Sequence, residues 1–276
     1  MSAAAGPRTR PIQTVLVGAS GRMGRQILRL LPDFPAMQLY GAVASEHSER
    51  LGQDAAELSG LPACGVALSA ALPPLLRRAE LVIDFSAAGA AAAHLAACAA
   101  ARVPLLLGTT GLAPELAAPL AAAADVMPLL VAANASPGVT LLLELVRQAA
   151  RALPSGYDVE ILETHHRHKL DAPSGTALAL GAAAAEGRGV TLAQQAQYAR
   201  HGHGAERAAE QIGFAVMRGG DVVGEHEVRF LGSGEQLVLR HVATDRAVFA
   251  RGALLAGQWL AGQGPGRYSM SDVFSF

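Results

Sequence analysis

Thr14-Val15-Leu16-Val17-Gly18-Ala19-Ser20-Gly21-Arg22-Met23-Gly24 is the stretch on which the reading of the first half turns. A short apolar strand runs straight into a glycine turn, and Ile27, Leu28, Leu30 and Leu31 then recur at helical spacing. Glycines let the backbone approach a pyrophosphate closely, and the N-terminus of the helix beyond them stabilises its negative charge. The spacing is G-x-x-G-x-x-G rather than the commoner G-x-G-x-x-G, and no Gly-Lys-Ser/Thr follows, which rules out a P-loop. A glycine loop alone also suits a plain tight turn. The strand before it and the helix after it favour a dinucleotide site.

Outward from this unit the alternation repeats. Residues 38–44, 81–85, 104–107 and 127–132 read as buried strands, separated by helical stretches around 87–101 and 114–124. The pattern predicts an α/β fold with a Rossmann-like, doubly wound parallel sheet. Ligands lie at the carboxyl ends of such strands, and three of these ends carry polar or turn residues: Asp84-Phe85-Ser86, Gly108-Thr109-Thr110-Gly111 and Asn134-Ala135-Ser136-Pro137.

After Asn134 the pattern changes. Ser136 and Pro137 can cap and start a helix reaching Leu153; a strand follows over 158–164, then a basic loop, then an Ala/Leu-rich helix from Ser174. Residues 187–211 read as irregular and hold Arg200, His201, His203 and Arg207. Strands over 213–218, 224–230 and 236–242 are joined at Gly219-Gly220 and Gly232-Ser233-Gly234. This predicts an α+β domain with an open mixed sheet of about four strands. Alternation of Glu225, Glu227 and Arg229 with His226, Val228 and Phe230 gives that sheet one helix-covered face and one face open to a partner subunit. A last helix over 246–260, with Phe249, Leu254, Leu255 and Trp259, is expected to return to the first domain. The predicted division is 1–134 with 246–276 for dinucleotide binding, and 135–245 for substrate binding and oligomerisation.

Residues 163–176, Glu-Thr-His-His-Arg-His-Lys-Leu-Asp-Ala-Pro-Ser-Gly-Thr, concentrate the most chemistry in the chain. His165, His166 and His168 are interleaved with Arg167 and Lys169 in a strand-to-helix loop. Ser174 is a good N-cap, and the first turn of its helix with the helix dipole makes an anion-binding corner beside the basic loop. A small carboxylate substrate suits it. The histidine spacing matches no zinc-finger or zincin pattern and no cysteine lies nearby, so no metal site is expected.

Composition narrows the class further. A formal net charge of −1 leaves no broad basic face for nucleic acid. Apolar residues make up 51% but aromatics only 4%, so the core must be packed from Ala, Leu and Val. Cys64 and Cys98 match no redox or metal spacing, as expected of a reduced cytoplasmic protein, and neither is placed as a nucleophile. Residues 1–11 are small, basic and proline-containing and read as a loose leader without the apolar core of a secretory signal. The alanine-rich runs at 87–101 and 113–133 are interrupted by His94, Glu115, Pro119 and Asp125, so no membrane span is expected.

With both halves in view, the chain resembles the dihydrodipicolinate reductases, also called 4-hydroxy-tetrahydrodipicolinate reductases, of the bacterial and plant lysine pathway. The resemblance rests on Gly-Ala-Ser-Gly-Arg-Met-Gly at 18–24, Gly-Thr-Thr-Gly at 108–111, Ala-Ala-Asn at 132–134 and, above all, the histidine-rich stretch through Ala177. Ile-Gly-Phe at 212–214 and Gly-Glu-His at 224–226 add to it. It implies reduction of a cyclic dicarboxylate imine by NADPH or NADH. It also implies His165 as acid/base residue, Lys169 as second proton donor, and His166, Ser174, Gly175 and Thr176 as substrate-binding residues. Gly18, Ala19, Ser20, Gly21, Arg22, Met23, Ser45, Gly108, Thr109, Thr110, Ala132, Ala133, Asn134 and Ala135 would line the cofactor. A homotetramer joined through the second domain's sheet is implied as well. Where relatives often end the second strand with an acidic residue and then an arginine, this chain reads Ala44 and Ser45, with Glu46 one step on. Ala135 stands where relatives often place an aromatic residue beside the nicotinamide. Both cofactors are therefore expected to serve, with Arg22 favouring the 2′-phosphate of NADPH.

Overall fold

A computed structural model describes residues 10–274; most of the predicted leader, residues 1–9, lies outside the described residues. The chain divides into two compact units, the first built from residues up to Ser136 together with residues from Ala247, the second from Pro137–Arg246. Among the described residues no helix is long and apolar enough to cross a membrane.

The first unit is built on a parallel sheet. Its strands are β1 (Ile12–Val17), β2 (Met37–Val43), β3 (Leu68–Ser69), β4 (Leu81–Asp84), β5 (Leu105–Leu107) and β6 (Pro128–Val131), with the C-terminal strand Gly266–Tyr268 on the outer edge of β6. Across the sheet β3 and β2 lie on one side of β1, and β4, β5 and β6 follow on the other, so the order reverses between β1 and β4. The two-residue alternation of side chains sends Leu16, Leu81, Ile83, Leu106 and Leu130 into one core and Val15, Val17, Val82, Leu105, Leu107 and Leu129 into another. The first core is closed by α1 (Arg22–Leu30) and by the C-terminal helix Ala247–Leu260, through Ile27, Leu28, Ala250, Ala253 and Leu254. The second is closed by α2 (Ala91–Ala101) and α3 (Ala117–Ala124) through Leu95, Cys98, Leu120 and Ala123. Burial on both faces explains the unbroken apolar runs Val15–Val17, Leu81–Ile83, Leu105–Leu107 and Leu129–Val131 in the middle of the sheet. Small residues let the helices come close: a Cβ on Gly257 would lie 3.0 Å from Ile83 Cδ1 and Leu81 Cδ2. The edge strands Leu68–Ser69 and Gly266–Tyr268 are short and not apolar runs, and the sequence reading does not contain them.

The second unit is a mixed sheet backed by helices. β7 (Asp158–His165) pairs antiparallel with β10 (Gly224–Leu231) and parallel with β9 (Ile212–Arg218); β11 (Gln236–Ala243) and β8 (Ala196–Gln197) form the edges. The fifth strand, β8, lies in the segment read as irregular and follows the short α6 (Leu192–Gln195). Val159, Ile161, Phe214, Val228 and Phe230 face α4 (Pro137–Ala152) and α5 (Gly175–Gly187), which pack with them through Leu142, Val146, Ala177 and Leu180. On α5 a Cβ at Gly187 would lie 2.4 Å from Arg147 O, so glycine permits the approach of the two helices. The opposite face carries Glu225, Glu227 and Arg229, with Val238 and Val242 of β11 directly across from them in register. Met217, Val238 and Val242 are exposed there at 56%, 41% and 43%.

Candidate active site

In the first unit the glycine loop is pinned by backbone bonds to the ends of neighbouring strands. Gly18 N–H and Ala19 N–H both donate to Val43 O, at 2.9 and 3.0 Å, and Phe85 N–H donates to Val17 O at 3.0 Å. Gly18 has φ +77°, and a Cβ on it would lie 2.6 Å from Phe85 O. A Cβ on Gly24 would lie 2.3 Å from Gly18 O. Glycine is therefore required at both positions, for its left-handed backbone at the first and for helix-to-loop contact at the second. Beyond the turn α1 starts at Arg22 with Gly21 as N-cap and no side-chain cap, so its first N–H groups remain available to an anion.

Two cavities open at these strand ends. One, of about 620 Å³, is lined among others by Gly18, Ser20, Gly21, Ala44, Ser45, Glu46 and His94. The other, of about 370 Å³, is lined by Met23, Phe85, Ser86, Gly108, Thr109, Thr110, Ala132, Ala133, Asn134, Ala135 and Phe249. Gly108 N–H donates to Asp84 O and Ala132 N–H to Leu107 O, so the second and third loops are fixed to the same strand ends as the first. The cradle fits a dinucleotide: glycine surfaces that any Cβ would fill, beside an uncapped helix N-terminus. Ala19 is fully buried in the core and Arg22 is exposed outside both linings. Of the expected cofactor residues, these two line neither cavity.

His94, which lines the larger cavity, is paired with a buried aspartate. Asp84, fully buried, lies 2.8 Å from His94 Nδ1 and accepts the Ser86 N–H at 2.8 Å, while Thr109 Oγ1 donates to Ser86 O. Ten residues separate Asp84 from His94, and an alanine-rich helix carries the histidine, so sequence spacing did not reveal the pair. Phe249 was likewise missed as a lining residue. Behind them, burial and then the Asp84 charge push the Cys98 thiol up to about 12, which makes it inert.

In the second unit the end of β7 carries the histidine loop. Glu163 and His165 point to the helix-covered face, which buries them at 1% and 9% exposure. His165 Nδ1 lies 2.6 Å from Glu163 Oε2, and Glu163 Oε1 accepts the Ser174 N–H at 2.9 Å. Arg218 of β9 donates to both carboxylate oxygens, at 2.7 and 2.8 Å, and also to Asp171 O at 2.7 Å. Ser174 caps α5 by accepting the Ala177 N–H, and its Oγ lies 3.1 Å from His226 Nε2. Lys169 Nζ donates to both oxygens of Asp171, at 2.8 and 2.9 Å. The half-exposed His166 ring lies 6.4 Å from that of His168. His165, Lys169, His166, Ser174, Gly175 and Thr176 thus all occupy the end of β7, the loop and the first turn of α5. The sequence reading gave no role to Arg218 or His226, which reach this place across sheet pairings rather than along the chain. Arg200 and Arg207, basic in the sequence, are instead bonded to Glu160 and Asp158 of β7.

The charges here have definite directions. Burial works to raise the Glu163 carboxyl, but hydrogen bonds from Arg218, His165 and the Ser174 N–H outweigh it and hold Glu163 below the usual carboxylate range. Burial lowers His165, Glu163 opposes that, and Lys169 and Arg218 add to the lowering, so the unliganded site favours the neutral imidazole. Burial, with His165 next, pushes His226 down to about 4. The unfolded chain protonates this histidine near 6.5, so between those values it binds more protons than the folded chain, and stability falls as pH falls. Denaturant unfolding should show His226 alone contributing a loss of about 2 kcal/mol between about pH 7.5 and about pH 5. His226→Gln should flatten the pH dependence by that amount; an unchanged slope would contradict a buried neutral imidazole.

Comparison with known proteins bears on both units. The family described as "Dihydrodipicolinate reductase, N-terminus" matches residues 12–135, and "Dihydrodipicolinate reductase, C-terminus" matches 138–274. A 4-hydroxy-tetrahydrodipicolinate reductase of Anaeromyxobacter dehalogenans (strain 2CP-1) is 49% identical over 261 residues, covering 95% of this chain and 97% of the relative. That of Ruegeria pomeroyi is 48% identical over 259 residues, covering 94% and 96%. Among solved structures, a dipicolinate-bound dihydrodipicolinate reductase from Paenisporosarcina sp. TG-14 has the same fold, with a TM-score of 0.75 at 24% identity over 94% of this chain and 97% of that one. A myo-inositol dehydrogenase from Corynebacterium glutamicum shares the fold at a TM-score of 0.60 and 13% identity, over 92% and 90%. A shared fold admits several dehydrogenase chemistries, but identity near one half over nearly the full length, with both family regions in order, is narrower: the chain belongs to the dihydrodipicolinate reductase family.

Proposed function

We propose that this chain catalyses the NAD(P)H-dependent reduction of 4-hydroxy-tetrahydrodipicolinate to tetrahydrodipicolinate, with the 4-hydroxyl leaving as water and one hydride and one proton added, the reaction after which its relatives are named. The observation that carries the reading is the pairing, on one chain, of a glycine-walled dinucleotide cradle with a buried Glu163–His165 pair beside the N-terminus of α5. The reduced nicotinamide, when bound, supplies the hydride. The cradle holds it through Gly18, Ser20, Gly21 and Met23, through the helix N-terminus that opens at Arg22, and through Ser45, Gly108, Thr109, Thr110, Ala132, Ala133, Asn134 and Ala135, with Ala19 buried behind the turn. Phe85 and Phe249 supply the aromatic walls that Ala135 does not. His166, Ser174, Gly175 and Thr176 hold the substrate carboxylates, for which a helix N-terminus and nearby cations are suited. His165 delivers the proton that the ring must accept once it is reduced, and Lys169 serves as second donor and counter-charge. A dianionic substrate offsets the Lys169 and Arg218 charges that add to the effect of burial on His165, and so favours its protonated form as substrate binds. Loss of reduced-nicotinamide absorbance on adding the condensation product of pyruvate and aspartate semialdehyde tests the assignment; no loss with either cofactor would refute it.

Both cofactors are proposed to serve. Arg22 favours a 2′-phosphate, whereas Glu46 in the cavity lining favours a free ribose hydroxyl, and neither has the usual carboxylate or arginine position at the strand end. Steady-state kinetics should show a preference below about a hundredfold, equivalent to about 2.7 kcal/mol. A larger ratio in either direction would reveal a determinant outside Arg22, Ser45 and Glu46.

The protein is further proposed to be a cytoplasmic homotetramer joined through the open face of the second unit's sheet. Met217, Val238 and Val242 on that face are apolar and exposed, interleaved with the Arg240–Glu225 ion pair. Light scattering at micromolar concentration should give four times the chain mass, and a monomer mass would refute it.

A further inference from the structure

The Glu163 carboxylate accepts four hydrogen bonds from three directions: His165 Nδ1–H and one Arg218 nitrogen on Oε2, the other Arg218 nitrogen and Ser174 N–H on Oε1. A buried carboxylate so fully engaged is an acceptor only. It therefore dictates which nitrogen of His165 carries the hydrogen in the neutral ring. The other nitrogen, Nε2, points toward Gly224 of β10, where a Cβ would lie only 3.1 Å away. Glycine at that position keeps the Nε2 edge clear.

We infer that Glu163 is a positioning residue: it locks His165 in the Nδ1–H tautomer, presents Nε2 as the nitrogen that exchanges a proton with substrate, and ties that imidazole to the N-cap of the substrate-binding helix. The inference rests on His165 being the proton donor. The proton leaves Nε2 of the imidazolium, the ring returns to neutral, and the Nδ1 hydrogen stays with Glu163, which keeps its charge throughout. Arg218 makes this possible, because its two-nitrogen grip on the carboxylate opposes transfer of the Nδ1 proton to Glu163. The charged and titratable groups facing the imidazole are Glu163 on its own strand, Arg218 from β9, His226 from β10, and His166 and Lys169 from the loop. Only Glu163 favours its protonated form.

The test uses the full chain. Nitrogen-15 NMR of the histidine rings near pH 7.5, with His165→Gln for assignment, should show His165 protonated at Nδ1 and unprotonated at Nε2. The opposite tautomer would overturn the inference whether or not any variant folds. In kinetics, Glu163→Gln should lower kcat by about 10- to 100-fold, less than removal of His165 itself. It should also move the alkaline limb of the kcat profile to lower pH, since the group that favours the imidazolium is gone. Glu163→Asp should restore part of the rate. A merely structural role for Glu163 would leave the position of that limb unchanged, and such a result would overturn the inference. Failure of the underlying reading looks different: His165→Ala would then turn over at the wild-type rate, whatever the tautomer.

Discussion

His165→Ala is expected to lower turnover by about 10²- to 10⁴-fold while cofactor affinity stays near wild type. The imidazole is buried at the end of β7, held by Glu163 on one nitrogen and open on the other, which is the arrangement of a group that transfers a proton rather than one that binds a charge. Its loss removes an interaction made in the transition state and leaves the cofactor cradle untouched, since none of the residues lining either cradle cavity belongs to the histidine loop. His166→Ala provides the contrast. That ring is half-exposed and no carboxylate among the described residues holds it, so its expected role is a contact to a substrate carboxylate in ground and transition states alike. Its removal should raise KM at a cost of about 1.5–3 kcal/mol with kcat little changed. Steady-state kinetics of both variants, beside cofactor dissociation constants, separate the two roles; wild-type kcat and KM in both would reduce the loop to a solvated basic turn.

Gly18→Ala should abolish useful cofactor binding. The residue has φ +77°, which costs an L-residue about 1–2 kcal/mol, and the added Cβ would lie 2.6 Å from Phe85 O and 2.9 Å from Ser86 N, both backbone atoms that cannot swing aside. Relief requires the turn to move away from β4, and with it the N–H groups proposed to hold the pyrophosphate. The expected result is a rise of at least about 10²-fold in the dissociation constant of the reduced cofactor, about 2.7 kcal/mol or more. Gly52→Ala is the control. Gly52 has φ +82° but no atom within 4 Å of its Cβ position, and it lines neither cavity. It should lose about 1 kcal/mol of stability and bind cofactor normally. Equal effects of the two substitutions on cofactor affinity would show that backbone strain, not close approach, governs the loop.

Much of this fold was legible because its signals are local. A glycine turn between a strand and a helix, and apolar runs of four or five residues at regular intervals, leave a trace within a short window, and the parallel sheet follows from their order. The edge strands Leu68–Ser69 and Gly266–Tyr268 leave no such trace, because neither is an apolar run as the equally short Leu105–Leu107 is; tertiary pairing alone makes them strands. The histidine loop was legible in composition, but its electrostatics were not. Burial of Glu163 and His165 follows from the parity of β7, which puts them on the same face as Val159 and Ile161, and their partners Arg218 and His226 come from strands that are neighbours only in the sheet. The same limit hid the Asp84–His94 pair and Phe249. Conversely, Arg200 and Arg207 look available in the sequence and are bound to Glu160 and Asp158 in the fold.

The most direct test of the central claim follows the hydride itself. The chain is supplied with reduced cofactor carrying deuterium at the hydride-donating position, and the product from 4-hydroxy-tetrahydrodipicolinate is examined by mass spectrometry. The expected product is tetrahydrodipicolinate bearing one cofactor-derived deuterium, formed at a rate that falls with His165→Ala. Cofactor consumed without deuterium in the product, or no product at all from the wild-type chain, would contradict the account.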